Sequence, residues 1–367
     1  EHEPFLDFDF WGSRWLSDEN GNPIPFQRVQ PDSNILLSNR VIFDLEIAAQ
    51  SAQFLLVRDD AKPDREIATD LESSRGHLQN SRILILVSPA GVDFFDARHQ
   101  SFDLGFYLRK DSSDTWTFTQ NRFDEAIFAG VGEWIWHLEE SGPLRARLRG
   151  ECQIGRSHLR LWVSLGRESE NIEWRLEVGW NERYALLQMS MNGQNWVESR
   201  RDGLAGGSIE RARDEFEHPM QKWTQFGKMA LVSPDIYSVS ALENGAQFTL
   251  LRAPRMAWGG GDPEIFGGRE TFTDQGFHVF EGVFATSSTP AQNEEIYRNI
   301  VRKPIVFDRY EGLDRPPWGN APRAELWTGA EQRARLDGQM MHLEDNGARD
   351  ILAAPDAELP AEIEEVL

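Results

Sequence analysis

The sequence predicts an all-β protein whose main part is a large antiparallel β-sandwich. Short apolar runs alternate with polar residues at a period of two along most of the chain, and turn-forming residues separate them. Helical periodicity over a dozen residues is scarce before Asn293. Because so many strands follow one another over roughly 200 residues without helices between them, a sandwich is favoured over a parallel α/β barrel.

Residues 1–70 are predicted to form a small β-unit. Its strands are predicted at residues 5–10, 41–47 and 53–57. Residues 18–23 combine Asp, Asn, Gly and Pro, which predicts a hairpin loop. Residues 59–74 are polar, charged and contain proline, so we expect a linker or a long loop there.

Residues 71–290 are predicted to form the large sandwich. Its strands are predicted at residues 83–87, 144–149, 159–163, 172–178, 229–232, 247–251 and 277–284. The clearest is 172–178, where apolar and charged residues alternate without a break. Trp162 and Trp174 lie on predicted strands at core-facing spacing, and we expect both of them in the core.

Residues 291–367 are predicted to be a partly irregular C-terminal extension. Residues 316–322 contain three prolines, which interrupt any regular element. For residues 356–367, which are acidic, we expect a partly mobile tail, with a short docked helix as the alternative.

Composition excludes several classes of partner and predicts the compartment. The net charge of −22 repels phosphate groups and therefore argues against nucleic acid and anionic lipid as partners, whereas neutral sugars are indifferent to it. No stretch approaches the roughly 20 apolar residues that span a bilayer. Cys152 is the only cysteine, which suits a reducing compartment, so we predict a cytoplasmic protein. Because the first residue is Glu1, we expect a processed chain or part of a longer product.

Motifs of catalysis are scarce in this chain. The eight histidines are scattered without metal-ligand spacing, and the sequence contains no nucleophile elbow, phosphate-binding loop or dinucleotide fingerprint. The glycines at 259–261 lead into a proline, which favours a surface loop. Carboxylates are plentiful, but spacing alone cannot select the pair that a glycosidase needs.

Polar residues next to aromatic ones are the best candidates for a sugar site. Aromatic faces accept the apolar surface of a sugar ring, and planar polar groups bind its hydroxyls. Such clusters occur at residues 114–116, 180–184, 235–237 and 274–278. For each of them, a buried ion pair or a core tryptophan is the alternative interpretation.

The order of several segments resembles the C-terminal β-domains of family 38 α-mannosidases. Residues 18–27 resemble the hairpin D-x-x-G-N-P-x-P-x-Q, and residues 140–146 resemble the strand E-x-G-P-x-R-A. Further similar segments lie at residues 80–96, 114–116, 180–188, 207–211, 216–223, 248–254 and 274–280. Each is weak alone, but their shared order over residues 1–285 is specific. Two departures are Gln188, where the family usually has Lys, and residues 233–235, which lack its Asn-Asp pair.

The resemblance implies a supersandwich like that of galactose mutarotase, preceded by a smaller β-sandwich unit. It also implies a mannoside as the carbohydrate partner and a catalytic barrel as the protein partner. The family's zinc ligands and aspartate nucleophile belong to that barrel, which no segment here resembles, so we expect this chain to lack catalytic and metal-binding residues and to be inactive alone. Without the barrel, an apolar patch should be exposed, and we therefore predict association with a partner or with itself.

The resemblance and the polar–aromatic clusters together give eight candidate residues for lining the cleft: Arg211, Arg252, Asp274, His278, Asp114, Trp116, Glu182 and Tyr237. The two arginines could bind vicinal hydroxyls through their planar guanidinium groups. Asp274 and His278 are four positions apart on a predicted strand and would share one face. Structural ion pairs between sheet layers are the alternative for the first four.

Two other functions remain open at this point. One is a free-standing carbohydrate-binding module, in which Trp and Tyr stack on sugar rings without catalysis. The other is a mutarotase-like or lyase-like enzyme that uses His278 or His218 with a nearby carboxylate as its acid–base pair.

Overall fold

The computed structural model describes residues 11, 14–31, 40–47, 51–60, 67–97, 101–116, 122–123, 125–127, 132–193, 199–257 and 270–303, and the backbone of short strands between 327 and 351. The chain divides into two compact units, Glu1–Ile67 with Arg302–Leu367 and Ala68–Val301. The strand predicted at residues 5–10 and the tail at 356–367 lie outside the described residues, as does the proline-rich stretch 316–322.

The smaller unit consists of short antiparallel strands. They are β1 (Trp15–Ser17), β2 (Pro23–Ile24), β3 (Phe26–Val29), β4 (Arg40–Phe43), β5 (Ser51–Ala52) and β6 (Leu56–Arg58). Its C-terminal strands are short as well: β25 (Trp327–Thr328), β26 (Arg335–Leu336), β27 (Gln339–Met340), β28 (His342–Asp345) and β29 (Ala348–Ile351). The strand predicted at 41–47 ends at Phe43, and the one predicted at 53–57 is displaced to Leu56–Arg58.

The predicted hairpin loop between β1 and β2 is confirmed. Gly21 has φ +83°, a left-handed conformation that glycine adopts without strain. The carboxylate of Asp18 accepts the backbone N–H groups of Asn20 and Asn22 at 2.9 and 2.7 Å. The loop is therefore closed by its own side chains.

Within its described residues, the larger unit contains the remaining strands and one helix. In chain order the strands are β7 (Glu72–Ser73), β8 (His77–Gln79), β9 (Ile83–Ser88), β10 (Gly91–Asp96), β11 (Ser101–Lys110), β12 (Ile135–Ser141), β13 (Arg145–Ile154), β14 (Ser157–Gly166), β15 (Asn171–Trp180), β16 (Ala185–Gly193), β17 (Arg200–Leu204), β18 (Gly207–Arg211), β19 (His218–Pro219), β20 (Trp223–Phe226), β21 (Met229–Val232), β22 (Ser238–Leu242), β23 (Gly245–Arg252) and β24 (Gly276–Ala285). The helix, α1, covers Pro290–Val301.

The strands form two nine-stranded sheets. The first sheet has the order β19-β22-β23-β16-β11-β10-β9-β8-β7, and the second has the order β12-β13-β14-β15-β24-β21-β20-β17-β18. All of the strand pairs within them are antiparallel. The predicted all-β sandwich is confirmed.

The core lies between the inner faces of the two sheets. On β15, Ile172, Trp174, Leu176 and Val178 are buried, whereas the glutamates and arginine between them face outwards. Aromatic rings pack between the sheets: the ring centroid of Phe102 in the first sheet lies 5.4 Å from that of Phe284 in the second. Alternation at period two therefore supplies the apolar faces that the sheets bury against each other.

One core prediction is wrong. Trp162 lies on the outer face of the second sheet, where its indole N–H donates to Glu139 at 3.1 Å and its ring faces Arg160. Its strand neighbours Leu161 and Val163 are both fully buried. Since alternate residues of a strand point to opposite faces, these neighbours leave Trp162 outside.

Helix α1 packs on the second sheet. Thr289 caps it, because its backbone N–H and hydroxyl contact the Gln292 side chain, each at 2.9 Å. Ile296, Tyr297 and Ile300 pack against a buried group around Trp223. Among the described residues, none of the helical segments has the length and apolar character required to traverse a bilayer.

Candidate carbohydrate site

A buried ion pair organises one edge of the first sheet. Arg252 is the last residue of β23, and Asp111 directly follows β11. Both strands pair antiparallel with β16, so their C-terminal ends meet at the same edge. Nε and Nη2 of Arg252 lie 2.9 and 2.6 Å from Oδ2 of Asp111, which is fully buried. This charge-assisted contact fixes the edge of the sheet.

Ser113 completes the environment of the buried carboxylate. Its backbone N–H donates to Oδ1 of Asp111 at 3.1 Å, and its hydroxyl donates to the same oxygen. The Ser113 hydroxyl also accepts a hydrogen bond from Nη2 of Arg252 at 2.8 Å. Because both carboxylate oxygens of Asp111 are already bonded, this residue acts as a support rather than as an acid or base.

Trp116 is presented to solvent just beyond this pair. Its backbone N–H donates to Oδ1 of Asp114 at 2.8 Å, which closes the turn. The backbone of Thr115 donates to the carbonyl of Arg255 at 3.2 Å, and Ala257 donates to the Thr115 hydroxyl at 2.9 Å. The Trp116 side chain is nevertheless 77% exposed. The ring is therefore an aromatic surface on an anchored turn.

A second polar group lies on the segments around Arg255 and Phe272, which form isolated bridges next to this turn. Glu270 accepts a hydrogen bond from the Tyr184 hydroxyl at 2.6 Å and lies 3.6 Å from Nη1 of Arg255. The hydrogen bond to Glu270 raises the pKa of Tyr184. Phe272 packs edge-on against the Tyr184 ring at 5.0 Å. The polar side chains of Tyr184, Arg255 and Glu270 are all partly exposed and could bind sugar hydroxyls.

Asp274 and His278 reach the same edge, but they do not share a strand. Asp274 precedes β24 and has φ +55°, so it belongs to a turn. The prediction that both residues lie on one strand face is wrong, because this left-handed residue interrupts the extended chain. Oδ2 of Asp274 accepts the backbone N–H of Arg252 at 3.4 Å, and Nε2 of His278 lies 2.7 Å from the carbonyl oxygen of Asp274.

Glu182 is turned into the protein. Its Oε1 accepts hydrogen bonds from the backbone N–H of Arg156 at 2.5 Å and from the hydroxyl of Ser157 at 2.9 Å. Its backbone carbonyl accepts the Gln275 amide at 2.8 Å, which ties it to the turn of Asp274. The residue is only 8% exposed, so its carboxylate serves the packing of the loops.

Arg211 and Tyr237 lie elsewhere. Nε of Arg211 is 3.1 Å from Asp202, whose fully buried carboxylate also pairs with Arg200. Nη1 of Arg211 approaches Nδ1 of His218 at 3.2 Å, and Nε2 of His218 lies 2.6 Å from Asp214. Tyr237 is 61% exposed beside β22. These contacts of Arg211 are those of the structural ion-pair alternative.

Six of the eight predicted residues thus belong to one connected edge: Asp114, Trp116, Glu182, Arg252, Asp274 and His278. Sequence reasoning missed Asp111, Arg255 and Glu270, which organise it. The sequence did contain a signal for Asp111, because this residue directly follows a run in which every second residue is apolar, as in a strand: Phe102, Leu104, Phe106 and Leu108. Arg255 and Glu270 are joined only by the folded chain, and no spacing in the sequence indicates their contact.

The chemistry of this edge suits the binding of a neutral sugar. Within the described ranges, no group of three or more His, Cys, Asp or Glu side chains is placed to hold a metal ion. The edge offers an exposed aromatic ring, a guanidinium, a carboxylate and a phenol. A neutral sugar can use all four, because its ring has apolar faces and its hydroxyls both donate and accept hydrogen bonds.

Comparison with known proteins identifies one family whose domain resembles part of the chain. Residues 90–256 match the model of the glycosyl hydrolases family 38 C-terminal domain. No curated protein sequence matches the chain.

Solved structures that share its fold include the following two. A glycosyl hydrolase family 38 protein from Enterococcus faecalis superimposes with a TM-score of 0.61 at 12% identity, covering 92% of this chain and 48% of that one. An α-mannosidase from Enterococcus faecalis V583 gives 0.57 at 11% identity, covering 79% of this chain and 39% of that one. The chain therefore spans about half the length of these proteins or less. Over residues 90–256, the chain is thus similar to the C-terminal domain of glycosyl hydrolase family 38.

Proposed function

We propose that this chain is the β-sheet-rich half of a family 38 α-mannosidase and that it supports and lines a mannoside-binding cleft completed by a separate catalytic barrel. The observation that carries this proposal is the position of the sheet edge around Arg252, which we call the Arg252 edge. Asp111, Asp114, Trp116 and Arg252 all lie within the matched residues 90–256, where buried ion pairing and an exposed aromatic ring occur side by side.

The residues of this edge have two roles in the proposal. The Asp111–Arg252 pair and Glu182 are positioning residues, because the carboxylates of Asp111 and Glu182 are buried and are held by hydrogen bonds from neighbouring groups. Trp116, Arg255 and Glu270 contact the sugar, the first through its ring face and the others through hydrogen bonds to hydroxyls. The proposal assigns zinc and the nucleophile to the barrel, as the resemblance to family 38 implies.

Reconstitution tests the proposal. The chain is mixed with a family 38 catalytic barrel, and hydrolysis of an aryl α-mannoside is compared with that by either component alone. We expect stable association and much higher activity of the mixture. In the mixture, Trp116→Ala should raise KM, whereas Phe95→Ala, which removes another partly exposed aromatic ring of the first sheet, should not. Full activity of the barrel alone, or no association, would contradict the proposal.

The 77% exposure of Trp116 also favours a second function, a carbohydrate-binding module. A module needs no barrel, because a stacking aromatic ring and a few hydrogen bonds are enough to hold a sugar. Mannoside binding by the chain alone, together with failure to associate with any family 38 barrel, would favour the module.

A further inference from the structure

Strand β24 is paired on only one side over much of its length. It pairs with β15 along its whole course, from Gly276 to Ala285. Its other neighbour in the second sheet, β21, pairs with it only from Val283 to Ala285. Within the described residues, no further strand pairs with β24. The stretch from Gly276 to Gly282 therefore has an open side, at the position that a neighbouring strand would otherwise occupy.

Side chains close one end of this open side. The hydroxyl of Ser233 donates to the backbone carbonyl of Glu281 at 2.7 Å. Oδ2 of Asp235 accepts the backbone N–H of Glu281 at 2.9 Å. Since both backbone groups of Glu281 contact residues that lie away from β15, they point to the open side. Ser233 and Asp235 occupy the place of a paired strand, so the open side ends at Glu281.

The backbone groups of two more residues point the same way. In an antiparallel ladder, the N–H and C=O groups of every second residue point to the same neighbour. Those of Phe277 and Val279 therefore share the direction of Glu281. The structure gives these groups no hydrogen bond to the other described residues. Each chain thus offers two N–H donors and two C=O acceptors to an additional strand.

The side chains beside these free groups are apolar and exposed. Phe277 is 66% exposed and Val279 is 37% exposed. On β15, the residue opposite Phe277 is Gly179, which has no side chain that could cover the ring. An apolar strand edge with free backbone groups is prone to pair with another chain. This stretch of β24 is therefore a candidate contact surface for a polypeptide.

The register of the open side fits a second copy of this chain. Two β24 strands can pair antiparallel about a two-fold axis, which is the usual symmetry of homodimers. With the axis at His278, Phe277 of each copy pairs with Val279 of the other, and all of the free groups form hydrogen bonds. An axis at Phe277 would place Gln275, which precedes the strand, opposite Val279. An axis at Val279 would place Glu281, whose groups are already bonded, opposite Phe277. Self-pairing therefore has one register that uses every free group.

The same register brings the exposed side chains together. Directly paired residues of antiparallel strands lie on the same face of the sheet, so the Phe277 ring of each copy packs against Val279 of the other. An aromatic and a β-branched side chain form a favourable cross-strand pair. The net charge of −22 on each copy opposes association, and salt screens this repulsion.

We propose that β24 forms a two-fold contact between two copies of this chain, centred on His278, and that the second sheets of the two copies become continuous there. Four backbone hydrogen bonds and two Phe–Val pairs hold the contact. These are few for a homodimer, so the dimer exchanges with the monomer. The contact requires no catalytic barrel and is independent of the proposed function.

Sedimentation velocity over a series of protein concentrations tests the contact. We expect a monomer–dimer equilibrium that salt shifts towards the dimer. Val279→Pro removes an N–H group that does not bond to β15, and it should weaken dimerisation about tenfold or more. Phe277→Lys is the second variant, in case Val279→Pro does not fold. Ile135→Lys is the matched control, because Ile135 is 63% exposed on the outermost strand β12, and it should dimerise like the unmodified chain.

A disulfide tests the register. With the axis at His278, the two copies of this residue form a non-hydrogen-bonded pair, whose Cα atoms are about 4.5 Å apart. This distance allows a disulfide bond. Under mild oxidation, His278→Cys should therefore give a covalent dimer, whereas Ile135→Cys should not. The native Cys152 is buried and does not compete.

A monomer at every concentration and salt level would overturn the proposal. A dimer that persists unchanged in both Val279→Pro and Phe277→Lys would also overturn it, because the contact would then lie on another surface. The register would be refuted if a dimer forms but His278→Cys does not cross-link it.

Discussion

The guanidinium of Arg252 holds the fully buried carboxylate of Asp111 through two of its nitrogens, at 2.9 and 2.6 Å. The two residues are 141 positions apart in the sequence, and they meet because β11 and β23 both pair with β16. The pair therefore joins the segment that carries Trp116 to the segment that carries Arg255. Its integrity should decide whether the edge keeps its shape.

Replacing Arg252 should destabilise the folded protein. Arg252→Ala leaves the buried carboxylate of Asp111 without its cation, and we expect the free energy of unfolding to fall by about 3 kcal/mol in denaturant titrations. Arg252→Ala combined with Asp111→Ala should cost less than the sum of the two single changes, because no buried charge is then left unpaired. If the losses in the free energy of unfolding of the two single variants sum to that of the double variant, Asp111 and Arg252 have no interaction energy.

A glycine beneath a tryptophan should tolerate no side chain. At Gly282 a Cβ would lie 2.4 Å from the carbonyl oxygen of Val232 and 2.8 Å from the Trp174 ring. Gly282→Ala should therefore lower the free energy of unfolding by about 1–3 kcal/mol. Gly206→Ala is the control, since a Cβ there meets nothing within 4 Å. Equal melting temperatures of the two variants would contradict the packing described for β24.

Two aspartates should give opposite dependences on pH. Burial, together with the charge of Asp103 directly opposite, raises the pKa of Asp93. A raised pKa in the folded state means that stability is complete below the ordinary aspartate value near 3.9 and is lost as the pH rises through the folded value. Asp93→Asn should therefore raise the melting temperature at neutral pH and leave it unchanged near about pH 3.

Asp70→Asn should lower the melting temperature at neutral pH, which is the opposite of the effect expected for Asp93→Asn. Burial tends to raise the pKa of Asp70, but hydrogen bonds from Ser81 and from the backbone of Glu168 outweigh it, so the net pKa is lowered. The stability that this carboxylate provides is present above its unfolded value and is lost in acid. The variant should consequently melt at a lower temperature than the unmodified chain at neutral pH only. The same sign of effect for both variants would refute these assignments.

The single thiol should be inert in the folded protein. Cys152 is 5% exposed on β13, and burial raises its pKa to about 12. Since the thiolate is the reactive form, an aromatic disulfide reagent at mildly alkaline pH should titrate no thiol until denaturant is added, and then one per chain. Rapid reaction of the native protein would mean that β13 opens from the sandwich.

Local patterns predicted the sheets well. The unbroken alternation of 172–178 specified both the strand and its buried face, because every second residue in a strand points the same way. Trp162 shows the limit of this reasoning. Its position on a predicted strand was interpreted as core-facing, but Leu161 and Val163 occupy the inner face, and alternation therefore places the indole outside.

The site could be predicted only in part. Trp116 and Arg252 were selected for their residue type and for the segments that resemble the family, and the structure places both at one edge. Asp111, Arg255 and Glu270 are brought there by strand pairings and turns between distant segments, which no local pattern encodes. The turn at Asp274 was missed because a left-handed aspartate leaves no signal in the alternation that follows it.

The most direct measurement concerns the purified chain by itself. After dialysis against zinc, the bound metal is determined and the hydrolysis of an aryl α-mannoside is measured in the same sample. We expect far less than one zinc ion per chain and no hydrolysis above the blank, because the proposed function places the reactive groups on the barrel. One tightly bound zinc per chain together with metal-dependent hydrolysis would contradict the assignment of chemistry to a separate polypeptide.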